Sequence, residues 1–417
     1  MKFLFRKLFL GALLVVVLSA LVAIARGYRF NPIDNKVTST GILVASSNPD
    51  GAKIYINGEM RGATNSNIVL DPGSYSVEIK KDGFTSWERQ LTIKGELVVQ
   101  ADALLFPQNP TLSPLTSLGV VKAFASLSGD KIIIISDEGD VEKDGLYLLE
   151  NVRNPITRIN PLSLIILKSA FTQEPNTFDF TQTTVEFSPD EKQILVSTYT
   201  KLTSDAKNTK ESTTLSSMYL LESSTLSAQP LDVTSSIESV RTAWAEEEES
   251  LRLKSFKAFK KPFGQVALSA FDVIAFSPDE NRILYTASQS ATIPQIIKPA
   301  LISPNQTPET RDIEPGNVYV YDAEEDRNYL IMTGKPTATS ADFESVLLWY
   351  PTSSHLIYKD TDKIVAMDYD GANRRTVYSG PFDSSFLATS KDGRLFILTN
   401  FNSQAGGLMD LYSVGLK

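Results

Sequence analysis

The sequence contains no cysteine and one histidine, His355, among 417 residues. Without thiols there are no disulfide staples, thiolate metal sites or cysteine nucleophile, and one imidazole cannot build a multi-histidine metal centre. Positive charge is also short: 40 Lys and Arg face 49 Asp and Glu, giving a net charge of −9 and a pI near 5.0. That balance excludes nucleic acid as the main partner, because phosphate binding needs clustered positive charge. No G-x-x-x-x-G-K-[ST] phosphate loop and no G-x-S-x-G nucleophile elbow occurs. The chain is too long for one ordinary core, so two or three units are expected.

One long apolar run is present. After Lys2, Arg6 and Lys7, "LFLGALLVVVLSALVAIA" extends from Leu8 to Ala25 without a charge. As a helix these 18 residues cover about 27 Å, just enough to cross a bilayer. The leading positive charges favour an N-terminus in the cytoplasm, while Arg26 and Arg29 weaken the asymmetry. Residues 1–29 therefore read as a cytoplasmic tip and transmembrane anchor. Ala23-Ile24-Ala25 also has the small-x-small form of a signal-peptide cleavage site. Either fate puts the remaining chain outside the cytoplasm.

Residues 30–40 are a polar tether. From 41 to 106 the pattern changes to short alternating runs: "GILVASS", "AKIYI", "SYSVEIK", "ERQLTI" and "LVVQADALLF". Turn signals separate them, among them Pro49-Asp50-Gly51, Asn57-Gly58 and Asp71-Pro72-Gly73, and no stretch has helical length or period. The expectation is a compact antiparallel β-sandwich with Ile54, Ile56, Tyr75, Val77 and Ile79 facing inward. Asn57-Gly58 fits a two-residue hairpin whose central residues both need positive φ. The glycines of "NPDGAKIYINGEMRG" serve turns; no helix follows that could aim backbone N–H groups at a phosphate.

A proline-rich linker spans 107–115, and 116–417 carries a repeat. "FSPDEKQILVST" at Phe187 returns as "FSPDENRILYTA" at Phe276, with weaker echoes at Leu127, Tyr350 and Thr389. Each copy reads strand, polar turn, strongly apolar strand, and most are followed by a third strand. About five blocks indicate a β-propeller. Its last block lacks a fourth strand, and an unpaired edge is unfavourable, so residues near Leu112 to Leu118 are expected to close the ring. Two inserts interrupt the repeat. Residues 235–261 read as a rim helix, with Ser235 and Glu238 as a capping box and Pro262 and Gly264 as the stop. "SATIPQIIKPALISPNQTPETRDIEPG" reads as an exposed loop.

Two resemblances follow from these motifs. Pro49-Asp50-Gly51-Ala52, "KIYING", Pro72-Gly73-x-Tyr75-x-Val77, Gly83-Phe84 and Trp87, in that order, resemble a PEGA domain, with Asp50 where the name-giving tetrad has Glu. The "FSPDE…ILY" blocks and "AMDYDGANRRTV" resemble TolB-like propellers, relatives of WD-repeat propellers. The whole arrangement is similar to membrane-anchored PEGA-domain proteins of bacteria, which implies an extracytoplasmic surface protein and brings no catalytic residues with it.

Tests for chemistry lead to structural readings. His355 lies between apolar residues on an expected strand. Asp368, Asp370 and Asn373 of "DYDGAN" lack the longer ligand series of an EF-hand and suit a turn. Glu246 to Glu249 read as a solvated helix face, and Trp244, Phe256 and Phe259 as packing onto the propeller in preference to a partner surface. No catalytic residue, cofactor site or metal site is assigned. The expected function is non-enzymatic: a single-pass cell-membrane protein presenting sandwich and propeller to envelope proteins or cell-wall glycans. A glycan-acting hydrolase or lyase with carboxylates at the propeller channel is the alternative; a sensor would need a partner to signal inward.

Overall fold

A computed structural model describes residues 2–25, 28–31, 36–150, 162–171, 180–202, 212–257, 259–301, 305–334, 347–401 and 407–416. The chain divides into two compact units, 1–109 with 301–308, and 110–300 with 309–416.

The first unit opens with helix α1, Lys2–Ala25. Over residues 6–22, where side chains are described, every position is exposed. Among the described residues no helix is long and apolar enough to cross a membrane, so the expected span is not supported there. Arg26, invoked for charge asymmetry, lies outside the described residues, as do 32–35 of the expected tether. The rest of that tether is ordered as a hairpin, β1 (Tyr28–Asn31) with β2 (Lys36–Ser39), in which Tyr28 opposes Ser39.

The sandwich follows: β3 (Gly41–Asn48), β4 (Lys53–Ile56), β5 (Glu59–Ala63), β6 (Ser66–Leu70), β7 (Gly73–Lys80), β8 (Trp87–Ile93) and β9 (Val98–Leu104). One sheet has the order β6-β3-β9 and the other β5-β4-β7-β8. Alternation decides the faces: Leu43, Ala45, Ile54, Ile56, Val77, Ile79, Val99 and Ala101 point into one core with Trp87. Tyr75 is only half-buried at its margin, its hydroxyl donating to Asp71 O at 3.0 Å. Two features differ from expectation. The sandwich is not wholly antiparallel, because β9 changes sheets after β8 and runs parallel to β3, pairing Ile42 with Val98. Strands β5 and β6 carried no clear signal, since β5 is an edge strand with nearly every residue exposed. Residues 305–308 complete this unit: Asn305 bridges Leu91, and Gln306 Nε2 donates to Ser74 and Thr92 hydroxyls, each at 2.7 Å. The "exposed loop" is thus partly packed, and Asn305 is buried.

Among the described residues the second unit contains five four-stranded antiparallel sheets, the blades of a β-propeller. Blade one runs Val120–Ala125, Lys131–Ser136, Gly145–Glu150, Leu162–Leu167; the second strand, "KIIIIS", is buried along nearly its whole length, as a strand between two packed faces requires. The fifth blade holds Leu387–Thr389, Arg394–Thr399 and Asp410–Gly415, and takes its fourth strand from β10, Thr111–Pro114. Leu112 pairs with Val414, so the start of the unit closes its end and the edge left by the last block is covered. Thr116 reinforces the join, its hydroxyl donating to Asp410 at 2.9 Å.

The helical insert is two helices, α2 (Ile237–Lys257) and α3 (Lys261–Ala270). Pro262 does not stop a helix but starts the second one, where its missing N–H costs nothing. Ahead of α2, a short 3-10 turn at Thr234–Ser236 takes the place of the expected Ser235 cap, and Asp232 accepts hydrogen bonds from Thr234 N and Oγ1.

Candidate functional site

The residues with chemical potential concentrate in the hairpin joining the first two strands of each blade. All five hairpins are built alike. A backbone N–H donates to the carbonyl three residues earlier: Gly129 to Ser126, Glu191 to Ser188, Glu280 to Ser277, Ser353 to Tyr350 and Gly393 to Ser390, at 2.8 to 3.0 Å. Each donor residue has positive φ, including non-glycine Glu191 (57°), Glu280 (61°) and Ser353 (60°). In four of them a leading serine then locks the turn, Tyr350 standing in its place in the fourth blade. Ser277 Oγ accepts from Arg282 N at 2.9 Å and donates to Asp279 at 2.5 Å; Ser188 does the same with Gln193 N and Asp190. Lys192, then Ser188, hold the Asp190 carboxyl down at about 2. The "FSPDE" signature therefore encodes a turn held by hydrogen bonds.

These hairpins also tie neighbouring blades together. Lys131 Nζ donates to Glu191 O at 2.8 Å, Arg282 Nη1 to Ser353 O at 3.1 Å, and the Tyr350 hydroxyl to Gly393 O at 2.8 Å. Lys391 pairs with Asp130 at 2.7 Å, linking blade five to blade one.

His355 belongs to this repeat. In blade three the second strand starts at Arg282, which lies opposite Asp322; in blade four it starts at His355, opposite Asp368. Arg282 Nε reaches Asp322 at 2.8 Å, and its guanidinium lies 4.2 Å from the Tyr369 ring centroid. His355 Nε2 lies 3.5 Å from Asp368, and Nδ1 is 2.7 Å from Thr352 Oγ1. A hydroxyl, imidazole and carboxylate in a row could suggest nucleophilic catalysis. The register supplies a simpler account: His355 and Asp368 fill the positions of Arg282 and Asp322, and Thr352 fills that of Asp279 in the turn.

The other candidates are also placed. Asp368 accepts from Asn373 Nδ2 at 2.8 Å and Asp370 from Ala372 N at 3.2 Å, with Gly371 and Asn373 at positive φ, which is a turn. Among the described residues no group of His, Asp and Glu is arranged to hold a metal ion. Glu246, Glu248 and Glu249 are exposed on α2, and Glu249 meets Arg252 at 3.4 Å. Phe256 and Phe259 pack into an aromatic cluster with Phe263, Phe271, Tyr285 and Tyr321, whereas Trp244 stays half-buried. Gly51, Gly58, Gly62 and Gly83 all have positive φ, and Asn57 (50°) with Gly58 (83°) joins β4 to β5.

Sequence reading missed two buried charges. Arg282 follows a polar turn in the sequence, and its burial emerges only from its pairing with wholly buried Asp322. Asp326 anchors the proline-rich insert, accepting from Ile296 N, Ile297 N and the Tyr321 hydroxyl at 2.6 to 2.9 Å. Its position in a turn after a strand, within a run of acidic residues, concealed it.

The architecture is thus a small two-sheet sandwich and a five-bladed propeller. The PEGA domain family model matches residues 40–109, which are a PEGA domain. Among solved structures, one assigned as TolB from Agrobacterium tumefaciens is 12% identical, with 87% of this chain and 98% of that chain covered and a TM-score of 0.17. The β-propeller domain of Cps50 (Swd1) from Myceliophteria thermophila is 9% identical, covering 74% of this chain and 100% of its own, with a TM-score of 0.25. An auxiliary nutrient binding protein from Bacteroides thetaiotaomicron is 8% identical, with 87% and 74% covered and a TM-score of 0.19. No curated protein matches the chain.

Proposed function

We propose that this protein is a non-enzymatic binding or scaffold protein, held on the outer side of a bacterial cell membrane by α1 and presenting its PEGA domain and propeller to envelope proteins or cell-wall glycans. The observation that carries the reading is α1 itself. An apolar helix needs an apolar environment on every side, and this one is exposed from Leu8 (69%) to Val22 (55%), so the protein's own core does not supply it. A bilayer would, around the uncharged 18-residue run from Leu8 to Ala25, which covers about 27 Å as a helix. Lys2, Arg6 and Lys7 ahead of the apolar run favour the orientation that places the PEGA domain and propeller outside.

The binding role is supported by what the polar side chains do. The serines, aspartates and histidine of the propeller hairpins described above are engaged in turns and blade junctions, which leaves the hairpins to present a surface. The test is fractionation and protease shaving of cells expressing the full chain. Full chain in the membrane fraction, with the propeller digested from outside intact cells, is expected; retention in the cytoplasm would overturn the reading. Crosslinking in intact cells then has to recover a reproducible protein or glycan partner, and recovery of none would sink the scaffold role.

A further inference from the structure

The outer face of the β6-β3-β9 sheet exposes most of its apolar surface at one end. Val69, Ile42 and Val98 form a row across its three strands, since Ile42 pairs with Val69 on one side and Val98 on the other. They are 46%, 37% and 60% exposed, and Leu97 beside them is 41% exposed. Farther along the same face half-buried Val44 stands between Asn67 and Gln100, followed by Ser46 beside Asp102. Four exposed apolar side chains gathered at one end of the sheet face form a patch of the kind that marks an interaction surface.

The chain fixes where this patch lies. Ala25 ends α1, and Tyr28 follows three residues later, a reach of at most about 11 Å. The Tyr28 hydroxyl donates to Glu96 Oε1 at 2.5 Å, and Glu96 N donates to Thr40 O at 3.0 Å. Ile42 N donates to Leu97 O, also at 3.0 Å. The 94–97 turn therefore clasps the strand that enters the sandwich, and the approach is so close that a Cβ on Gly41 would lie 2.5 Å from Lys94 O. The apolar row sits at the exit of the apolar helix.

We infer that Ile42, Val69, Leu97 and Val98 dip into the headgroup and upper acyl region of the same bilayer that holds α1, making the PEGA domain a second, peripheral membrane contact. The inference rests on the anchor reading of α1. It gives the row a lipid occupant because the clasp leaves the patch within one short linker of the membrane surface, and amphipathic surfaces bind there by burying apolar side chains.

The absence of cysteine makes the test direct, because one introduced cysteine gives one labelled site. Full-length Val98→Cys, Val69→Cys, Leu18→Cys and Met60→Cys would each carry an environment-sensitive fluorophore. Each would be reconstituted in phosphatidylcholine and phosphatidylglycerol vesicles doped with nitroxide lipid, the nitroxide placed either near the headgroup or deep in the acyl chain. Headgroup nitroxide is expected to quench Val98→Cys and Val69→Cys about twofold, deep nitroxide to quench Leu18→Cys, and neither to affect Met60→Cys. Quenching at Leu18→Cys alone would overturn the inference and leave the anchor standing. Quenching at Val98→Cys without Leu18→Cys would overturn the anchor and with it the inference as stated, leaving a lipid contact of the PEGA domain that α1 does not supply. A blue shift at Val98→Cys without lipid quenching would mean that a second copy covers the row, and would also overturn the inference.

Discussion

The sandwich and the propeller reach stable β structure by different chemistry. The sandwich core is aliphatic apart from Trp87, with no buried tyrosine or ionised pair among the described residues. The propeller buries Tyr285, Tyr319, Tyr321, Tyr329, Tyr350 and Tyr369, and places Arg282 against Asp322 inside. A small two-sheet core is specified by which face each residue takes, and alternation suffices. Blades that pack on both faces read as continuous apolar runs, so register and blade order need polar contacts of defined geometry. Solution behaviour should therefore separate the two units, and tryptophan can report them apart: Trp87 lies in one, Trp244 and Trp349 in the other.

Alkali should separate them most. Burial pushes the phenols of Tyr321, Tyr329, Tyr350 and Tyr369 well above their ordinary value of 10.0, with nearby carboxylates adding to the shift. A raised folded-state value means that this stability is fully present below pH 10 and is lost as pH rises above it, when the unfolded phenols ionise and the folded ones do not. Each such phenol removes about 1.4 kcal/mol per pH unit beyond that point. In denaturant titrations near pH 11 the propeller transition should move far below its pH 8 midpoint, while Trp87 fluorescence reports little change. Equal shifts in both would refute the contrast.

Next in size is Asp322→Ala. It strands the Arg282 guanidinium beside the Tyr369 ring and also removes the acceptor for Glu324 N and Glu325 N. Breaking a buried pair from one side costs about 3–5 kcal/mol, and calorimetry should show that loss in the propeller transition only. Ile54→Ala is its counterpart. Ile54 is fully buried in the sandwich, so about 3 kcal/mol should leave that unit and none the other.

Legibility in the sequence follows the same division. The PEGA strands with alternating faces, the Asn57-Gly58 turn and the five "SPD"-type hairpins could be read because each depends on residues near in sequence. The closing strand was also legible, since a final block with only three strands demands a partner, and Thr111–Pro114 supplies it. Long-range pairing was not. Parallel addition of β9 to β3, the Gln306 contacts to Ser74 and Thr92, and the Arg282–Asp322 pair join residues whose separation gives no local pattern. Edge strand β5 lacked alternation because it buries almost nothing, and Pro262 marks both a stop and a start. The candidate chemistry of His355 was placed correctly on a strand, but its equivalence to Arg282 emerges only from the blade register.

The smallest effect tests the hairpin that joins β4 to edge strand β5. Gly58 has φ of 83° and open space where a Cβ would stand, so Gly58→Ala meets no clash and feels only the left-handed backbone penalty, about 1 kcal/mol. Asn57→Ala carries a comparable backbone cost at φ of 50° and also loses the Asn57 Oδ1 acceptor of Ser76 N at 2.9 Å, so it should cost about 2 kcal/mol. Urea titrations followed by Trp87 should rank the two in that order with no change in the propeller transition. The reverse ranking would show that the turn is held by its backbone geometry alone and that the side-chain bond from Asn57 to the neighbouring strand contributes nothing.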